Sequence, residues 1–369
     1  MQYTREDGCR AWLTYAMLKP DMLEDLMTEY GCAEAIFDRF IRSGPGFLSD
    51  RCIPEPAIDI LRQRASSDCM HEMMQTMHRL NIGIMYRNDN IYPDALRHIP
   101  QPPTFLYYRG NPDCLLGKCV AIVGSRTASP KGLAVTHQIS RELSEAGVTI
   151  VSGLAMGIDA SAHEGCLQGG SPTAAILACG MDVDYPAENL DLREQIVSSG
   201  GVLLSEYPLG MRSGKHVFQM RNRIISGLCK AVLMMEGRIR SGSMITVHHA
   251  LDQGRDVFAY PGVPDSEWAE GAHQLLREGA IYFTSAQDVL EDLDWASDLP
   301  TPTMKQRSEL PAMTEEQRRV YVLLGRGEMS FDELAAESGL PVPTLSVALT
   351  MLQMMGVIRA MPGKTYCRN

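Results

Sequence analysis

The stretch KCVAIVGSRTAS, Lys118 to Ser129, carries the first residues with evident chemistry: Gly124, Ser125 and Arg126, a turn that presents a hydroxyl and a guanidinium. The apolar run Cys119–Val123 before it is too short for a helix and reads as a buried strand. The amphipathic pattern from Lys131 to Ala146 after it reads as a helix. Strand, glycine turn and helix together place backbone N–H groups and a helix N-terminus where an anion can sit. The chemistry expected here is phosphate recognition.

A cationic stretch lies further along the chain, in which Lys215 taken alone reads as a solvated loop lysine. Between Arg212 and Arg240 lie seven basic residues and one acid, Glu236, in a chain whose net charge is -11. Such a balance argues against coating nucleic acid through bulk charge, and for holding an anion at one place. Each residue also has a plainer reading. Arg126 could be a surface arginine in a capped turn, and Phe218, next to Val217, could be core. Arg221 and Arg223 cannot both be buried cheaply. One is expected to pair with Glu206 or Glu236 and the other to face the ligand.

The elements that must position these groups follow from the rhythm of the chain. Strand candidates are Cys119–Val123, Val148–Ser152, Ala174–Ala178, Val202–Ser205, Ala231–Met235, Val257–Tyr260 and Ala280–Phe283, with helical patterns between them. That βαβ alternation predicts an α/β fold, a Rossmann-like doubly wound, mostly parallel sheet. Residues 1–66 read as an N-terminal helical module of SAM or helix-hairpin-helix kind, with Gly31 as a helix C-cap. Its turn Lys19-Pro20-Asp21 lacks the glycines of a phosphate-binding hairpin, so packing or protein contact is expected of it. A helix over 67–81, the strand IGIMY and a proline- and aromatic-rich approach lead into the core, giving a domain over 67–293. Residues 294–313, with Pro300, Pro302 and Pro311, read as a linker. Residues 314–369 read as a winged helix: helices Glu315–Leu324, Phe331–Ser338 and Pro343–Met355, then a β tail. Its third helix has no basic residue, which points to protein contact or an accessory role and not to reading a duplex.

Several function classes are excluded or weakened. The first turn lacks G-x-G-x-x-G, no acid ends the second strand, and there is no G-x-x-x-x-G-K-[ST] loop. The alternative reading is a nucleotide phosphoribohydrolase-type enzyme on the same sheet. Its P-G-G-x-G-T-x-x-E turn would fall on Arg240–Thr246, with His249 where the acid belongs. Asp159 and His163, at i and i+4, have no third ligand and read as a structural hydrogen bond or cap. The adjacent His248 and His249 face different ways. No catalytic residue, metal or cofactor is expected. The ten cysteines are scattered without metal spacing and read as buried thiols in a reducing compartment. No run approaches the roughly 20 apolar residues of a membrane span. The first residues have no apolar signal core, so a cytoplasmic setting without membrane attachment is expected.

The blocks AIVGSRTAS, TIVSGLAMGIDASAHEGCL, ILACGMDVDYP, LLSEYPLG, KHVFQMRNRIISGL, EGRIRSGSMIT and ALDQGRDVFAYPG closely resemble, in order, the DNA-processing protein A family, DprA or Smf. The match runs from about Tyr92 to Leu293, and the flanking modules fit a common layout of that family. The resemblance implies a cytoplasmic homodimer, not an enzyme, that binds single-stranded DNA and helps load the RecA recombinase in natural transformation. It assigns phosphate contact to Arg126 in the Gly124-Ser125-Arg126 turn and to Lys215, and a surface for a base to Phe218. Arg221, Asn222 and Arg223 match the family's Arg-Asn-Arg signature, and Ser241, Gly242 and Ser243 its N–H-bearing turn for a further phosphate. An aromatic platform with cations on the backbone is also the sequence-tolerant way to hold unpaired strands, at about 1–3 kcal/mol per stacked base. There are departures. Met156 stands where many members have Arg, Gln219 where they have Pro, and Gly271-Ala272-His273 where they have Gly-x-Asn. The first removes a cation from the rim.

Overall fold

The run Cys119–Val123 is buried at every position and is an interior strand of a nine-stranded sheet. The computed structural model describes residues 3–263, 266–296, 313–326, 329–354, 357–361 and 365–368. In chain order the strands are β1 (Gly83–Tyr86), β2 (Phe105–Gly110), β3 (Cys119–Val123), β4 (Thr149–Ser152), β5 (Thr173–Ile176), β6 (Val202–Ser205), β7 (Ala231–Met234), β8 (Asp256–Ala259) and β9 (Ile281–Tyr282). Their spatial order is β1-β2-β6-β5-β4-β3-β7-β8-β9. All pairings from β6 through β9 are parallel, while β1–β2 and β2–β6 are antiparallel. The expected doubly wound sheet is therefore present, extended at one edge by an antiparallel pair.

From β3 the chain winds one way through β4, β5 and β6, then returns to place β7, β8 and β9 on the other side. The reversal falls between β3 and β7. In open α/β sheets such a switch point leaves a crevice outside the carboxyl ends of the two strands. The Gly124-Ser125-Arg126 turn follows β3 and the Arg240–Ser243 segment follows β7, so the order of strands alone brings two of the three sequence groups together.

The helices of residues 1–66 do not stand apart from this sheet. Trp12 is buried against Phe37 and Phe40, with ring centroids 5.0 and 5.1 Å away, and its indole N–H donates to Leu61 O at 2.9 Å. That cluster continues into Ile84, Tyr86, Phe105, Tyr107 and Leu203, while the alternate residues Met85, Leu106, Val202 and Leu204 face the other core. The period of two is that of a strand covered on both faces. A Thr14 Oγ1 to Tyr107 hydroxyl hydrogen bond of 2.8 Å ties the helical module to β2. Met1–Asp298 accordingly form one compact unit. Gly31 caps the helix Pro20–Tyr30 with φ 79°, as its position in the sequence suggests.

Leu299–Asn369 form a second unit. Helices Glu315–Leu323, Phe331–Ser338 and Val342–Met354 and a three-stranded sheet enclose Val320, Leu334, Leu345, Leu349 and Ile358. Of the linker drawn over 294–313, residues 297–312 lie outside the described ones. All ten cysteines are free and six are buried, so they serve the core and not a disulfide framework. No helix among the described residues is long and apolar enough to cross a membrane.

Candidate functional site

A cavity of about 300 Å³ at the switch point is lined by Gly124, Ser125 and Arg126, by Phe218, Arg221 and Asn222, and by Ser241, Gly242 and Ser243. Nine of the eleven sequence-selected residues therefore converge on one crevice, and Lys215 and Arg223 lie outside its lining.

The turn after β3 is held differently from the expectation. Its N–H groups and the following helix were expected to receive an external anion. Instead Ser125 N–H donates to Glu236 O at 2.7 Å, and the Ser125 hydroxyl closes a local turn with Thr127 N–H at 3.1 Å. The helix Pro130–Glu145 begins at N-cap Ser129, whose N–H and hydroxyl donate to the Glu236 carboxylate at 2.8 and 2.7 Å. An internal carboxylate thus already occupies this helix N-terminus, where a negative charge is favourable. The anion at this turn is the protein's own. The hint in the sequence is that Glu236 is the single acid of the cationic segment and follows a strand of the switch point.

Gly132 lies against that carboxylate: a Cβ there would stand 2.2 Å from Glu236 Cδ. Alanine for glycine within a helix ordinarily stabilises by about 0.5–1 kcal/mol. Here overpacking reverses the sign, so Gly132→Ala is expected to destabilise by about 1–3 kcal/mol, read as a lowered urea midpoint. Gly157 is required for a different reason. It has φ 81°, and a Cβ on it would meet Ser125 O at 2.4 Å, so the loop after β4 can lie against the Ser125-Arg126 backbone only without a side chain.

Arg126 is what the turn leaves for a ligand. It is exposed, and its guanidinium carbon lies 4.6 Å from the centroid of the Phe218 ring. Phe218 is half-buried, with Tyr185 at 5.8 Å and the Arg221 guanidinium at 5.9 Å from its centroid. One face of the ring expected to stack a base is therefore covered by Arg126. Lys215 opens the helix Lys215–Gly227, exposed, three residues before Phe218 and so on the same face.

Arg221 and Arg223 correct the expectation that one of them faces the ligand. Each is only 4% exposed. Arg221 donates to the carbonyls of Gly153 and Ile176 and sits beside Asp159. Arg223 pairs with Glu206 at 2.6 Å and donates to Gln101 O at 3.0 Å and Met220 O at 3.1 Å. Backbone carbonyls satisfy both guanidinium groups, a solution that side-chain counting does not reveal. Both arginines shape the site from within. Asn222, also buried, donates through Nδ2 to Gly242 O at 3.2 Å and so positions the third group.

That third group remains open to a ligand. Ser241 is the N-cap of the helix Gly242–Asp252 but makes no side-chain cap bond; its hydroxyl pairs with that of Ser243 at 2.7 Å. Of the other cations in the basic segment, Lys230 pairs with Asp256 at 4.0 Å and Arg238 pairs with Glu267. Arg126, Arg212, Lys215 and Arg240 are exposed and have no ion pair among the described residues. Met156, in the place of a family arginine, is 43% exposed and lines a small adjoining cavity with Arg126 and Phe218. His273, in the place of the family asparagine, bonds through Nε2 to Pro261 O at 2.6 Å.

The acid–base candidates are structural. Asp159 accepts N–H bonds from Gly153 at 3.1 Å and Ala155 at 3.4 Å. Burial pushes its carboxyl above the ordinary value, and the Arg221 charge pulls it back in part. His163 is fully buried against Thr173. Among the described residues no group of three or more His, Cys, Asp or Glu could hold a metal ion.

An exposed arginine on an aromatic ring and an uncapped helix N-terminus, together at the switch point of a doubly wound sheet, define an α/β protein with an open crevice rimmed by exposed cations. The chain belongs to the DNA-processing protein A family, DprA or Smf. The family described as DNA recombination-mediator protein A matches residues 83–294, and the DprA winged helix domain matches residues 304–364. Protein Smf of Synechocystis is 33% identical over 331 residues, 81% of this chain and 83% of that one. The DNA processing protein DprA of Streptococcus pneumoniae is 44% identical over 207 residues, 56% of this chain and 73% of that one. Its X-ray structure is similar with a TM-score of 0.64 at 35% identity, over 79% of this chain and 99% of that one. DNA processing protein A of Helicobacter pylori, solved for its single-stranded DNA binding mode, gives 0.53 at 29% identity over 58% and 96%.

Proposed function

We propose that this protein holds single-stranded DNA without catalysis along the crevice between β3 and β7; the structure of the Helicobacter relative, solved for that protein's single-stranded DNA binding mode, supports the choice of ligand. The observation that carries the reading is Arg126, exposed and unpaired over Phe218, with Lys215 on the same helix face and the open Ser241–Ser243 turn beside it. The strand's phosphates lie against Arg126, Lys215 and the N–H groups of that turn. A base reaches the Phe218 ring when the strand draws the Arg126 guanidinium onto phosphate and uncovers it. The site's one cavity-lining carboxylate, Asp159, is engaged by two N–H groups, which supports a binding role over the phosphoribohydrolase alternative.

Delivery of the strand to the RecA recombinase during DNA uptake, in the cytoplasm, belongs to the same proposal, of which the family's description as a DNA recombination mediator supports the role in recombination. A homodimer suits this role, since two crevices in one particle favour long strands through effective concentration. The domain division at 66/67 and the protein-contact role of the winged helix belong to the same reading. The test is affinity for an unpaired oligonucleotide against its duplex, across a salt series. The unpaired strand is expected to bind more tightly, with a log–log salt slope of about -0.7 per phosphate neutralised. A flat salt response, or equal affinity for the duplex, removes the cationic-crevice reading.

A further inference from the structure

The helix Lys215–Gly227 has a cavity on each side. Phe218, Arg221 and Ile225 line the crevice just described, while His216, Met220 and Arg223 line a second cavity of about 620 Å³. The far wall of this second cavity is the N-terminal module, through Met17, Leu18 and Pro20, and Phe105 and Tyr207 contribute to its lining. Its volume is that of a ligand site, and its lining mixes apolar side chains such as Phe105, Val217 and Met220 with polar ones such as Gln101, Glu206 and His216.

Two independent features mark it as more than a packing gap. Met17 and Gln101, both on its wall, hold left-handed backbone at φ 47° and 54°. Non-glycine residues keep such conformations where the surroundings impose them, and they gather at binding sites. The polar groups are also incompletely used. Glu206 Oε1 takes Arg223 at 2.6 Å, whereas Glu206 Oε2 has no hydrogen-bond partner among the described residues.

We propose that this cavity receives unstacked bases of the strand whose backbone is held at Arg126 and Lys215. The inference rests on the strand-binding reading above. Lys215 is exposed at the first turn of the dividing helix, immediately before the cavity-lining His216 and Val217, so a strand leaving Phe218 over Lys215 meets the mouth. A base has a flat apolar body for Phe105, Tyr207 and Met220 and edge N–H groups for Glu206 Oε2. The charges of the wall balance, Asp21 and Glu206 against Lys19 and Arg223, with Arg223 already paired to Glu206, so it offers a phosphate no surplus of cations. The backbone therefore stays outside, on Lys215 and Arg212, and the bases turn in.

The test compares the full chain and its variants on oligonucleotides of about four and about twelve nucleotides, the short one spanning the crevice alone. Val217→Trp and Met17→Trp fill the cavity from opposite walls. Each is expected to weaken the longer strand about tenfold, about 1.4 kcal/mol, and to leave the shorter one unchanged. Arg126→Ala is expected to weaken both. Wild-type affinity for both lengths in the two tryptophan variants, with Arg126→Ala still weak, overturns the cavity and leaves the crevice standing. So does a loss in Val217→Trp at both lengths that Met17→Trp does not share. An Arg126→Ala variant that binds like wild type overturns the crevice itself.

Discussion

Arg126→Ala is expected to weaken binding of an unpaired oligonucleotide about 10–100-fold while leaving the thermal midpoint within a degree or two of wild type. A guanidinium–phosphate bond is charge-assisted and contributes about 1.5–3 kcal/mol, which sets the size of the loss. The unchanged stability follows from the surroundings of Arg126: it is exposed, has no ion pair among the described residues, and gives up only its contact with Phe218 at 4.6 Å. An exposed cation–π contact contributes about 0.5–1 kcal/mol at most. Arg221→Ala differs in kind. Its guanidinium fills a buried place against the Gly153 and Ile176 carbonyls and beside Asp159, so removal leaves those groups unpaired and the protein less stable. Fluorescence anisotropy titrations paired with melting curves separate the two. An Arg126→Ala protein with wild-type affinity would falsify the assignment of this residue to the strand.

That contrast marks what the sequence could and could not disclose. The seven core strands are legible because buried parallel strands are short apolar runs closed by turn residues, and so is the convergence of β3 and β7, which topology dictates once the alternation is seen. The antiparallel edge formed by β1 and β2 was legible only in part. Gly83–Tyr86 reads as a strand, but Phe105–Gly110 follows a run of prolines that masks its alternation. The division of the cations was legible only in part: the pairing of one arginine with Glu206 is an expectation the structure meets, while the burial of both arginines is not. Arg221, Arg223 and Lys215 stand within one helix of thirteen residues, yet two are buried on carbonyls and one is exposed. The partners that decide this, Gly153, Ile176, Gln101 and Glu206, are scattered along the chain. The same holds for Glu236, which caps a helix begun 107 positions away. Local pattern gives the elements and their order; which charge remains for a ligand is settled by long-range partners.

Below the crevice the same economy of partners makes stability depend on pH. His163 is fully buried, its Nδ1 2.7 Å from Thr173 Oγ1, and that hydroxyl donates onward to Ile150 O at 2.6 Å. Because Thr173 has given its proton away, it accepts from His163, which fixes the proton of the neutral imidazole on Nδ1. Nε2 is left buried without a partner among the described residues. Burial first, and the nearby Arg221 charge second, push the imidazole pKa down to about 3 from an ordinary 6.5. Between those two values the unfolded chain binds a proton that the folded one refuses, so the full contribution of this histidine is present above pH 6.5 and is lost as the pH falls toward 3. The slope approaches about 1.4 kcal/mol per pH unit. Asp159 works in the opposite sense, since its raised pKa lets the folded state take a proton earlier as acid is added. Removing the histidine therefore isolates its share. Urea midpoints measured from pH 7 to pH 4 are expected to fall steeply for the wild-type protein and distinctly less for His163→Gln, with the curves converging at the acid end. Parallel curves across that range would mean that His163 gains its proton in the folded state as readily as in the unfolded chain, which its enclosure between the helix Ile158–Gly169 and β5 does not permit.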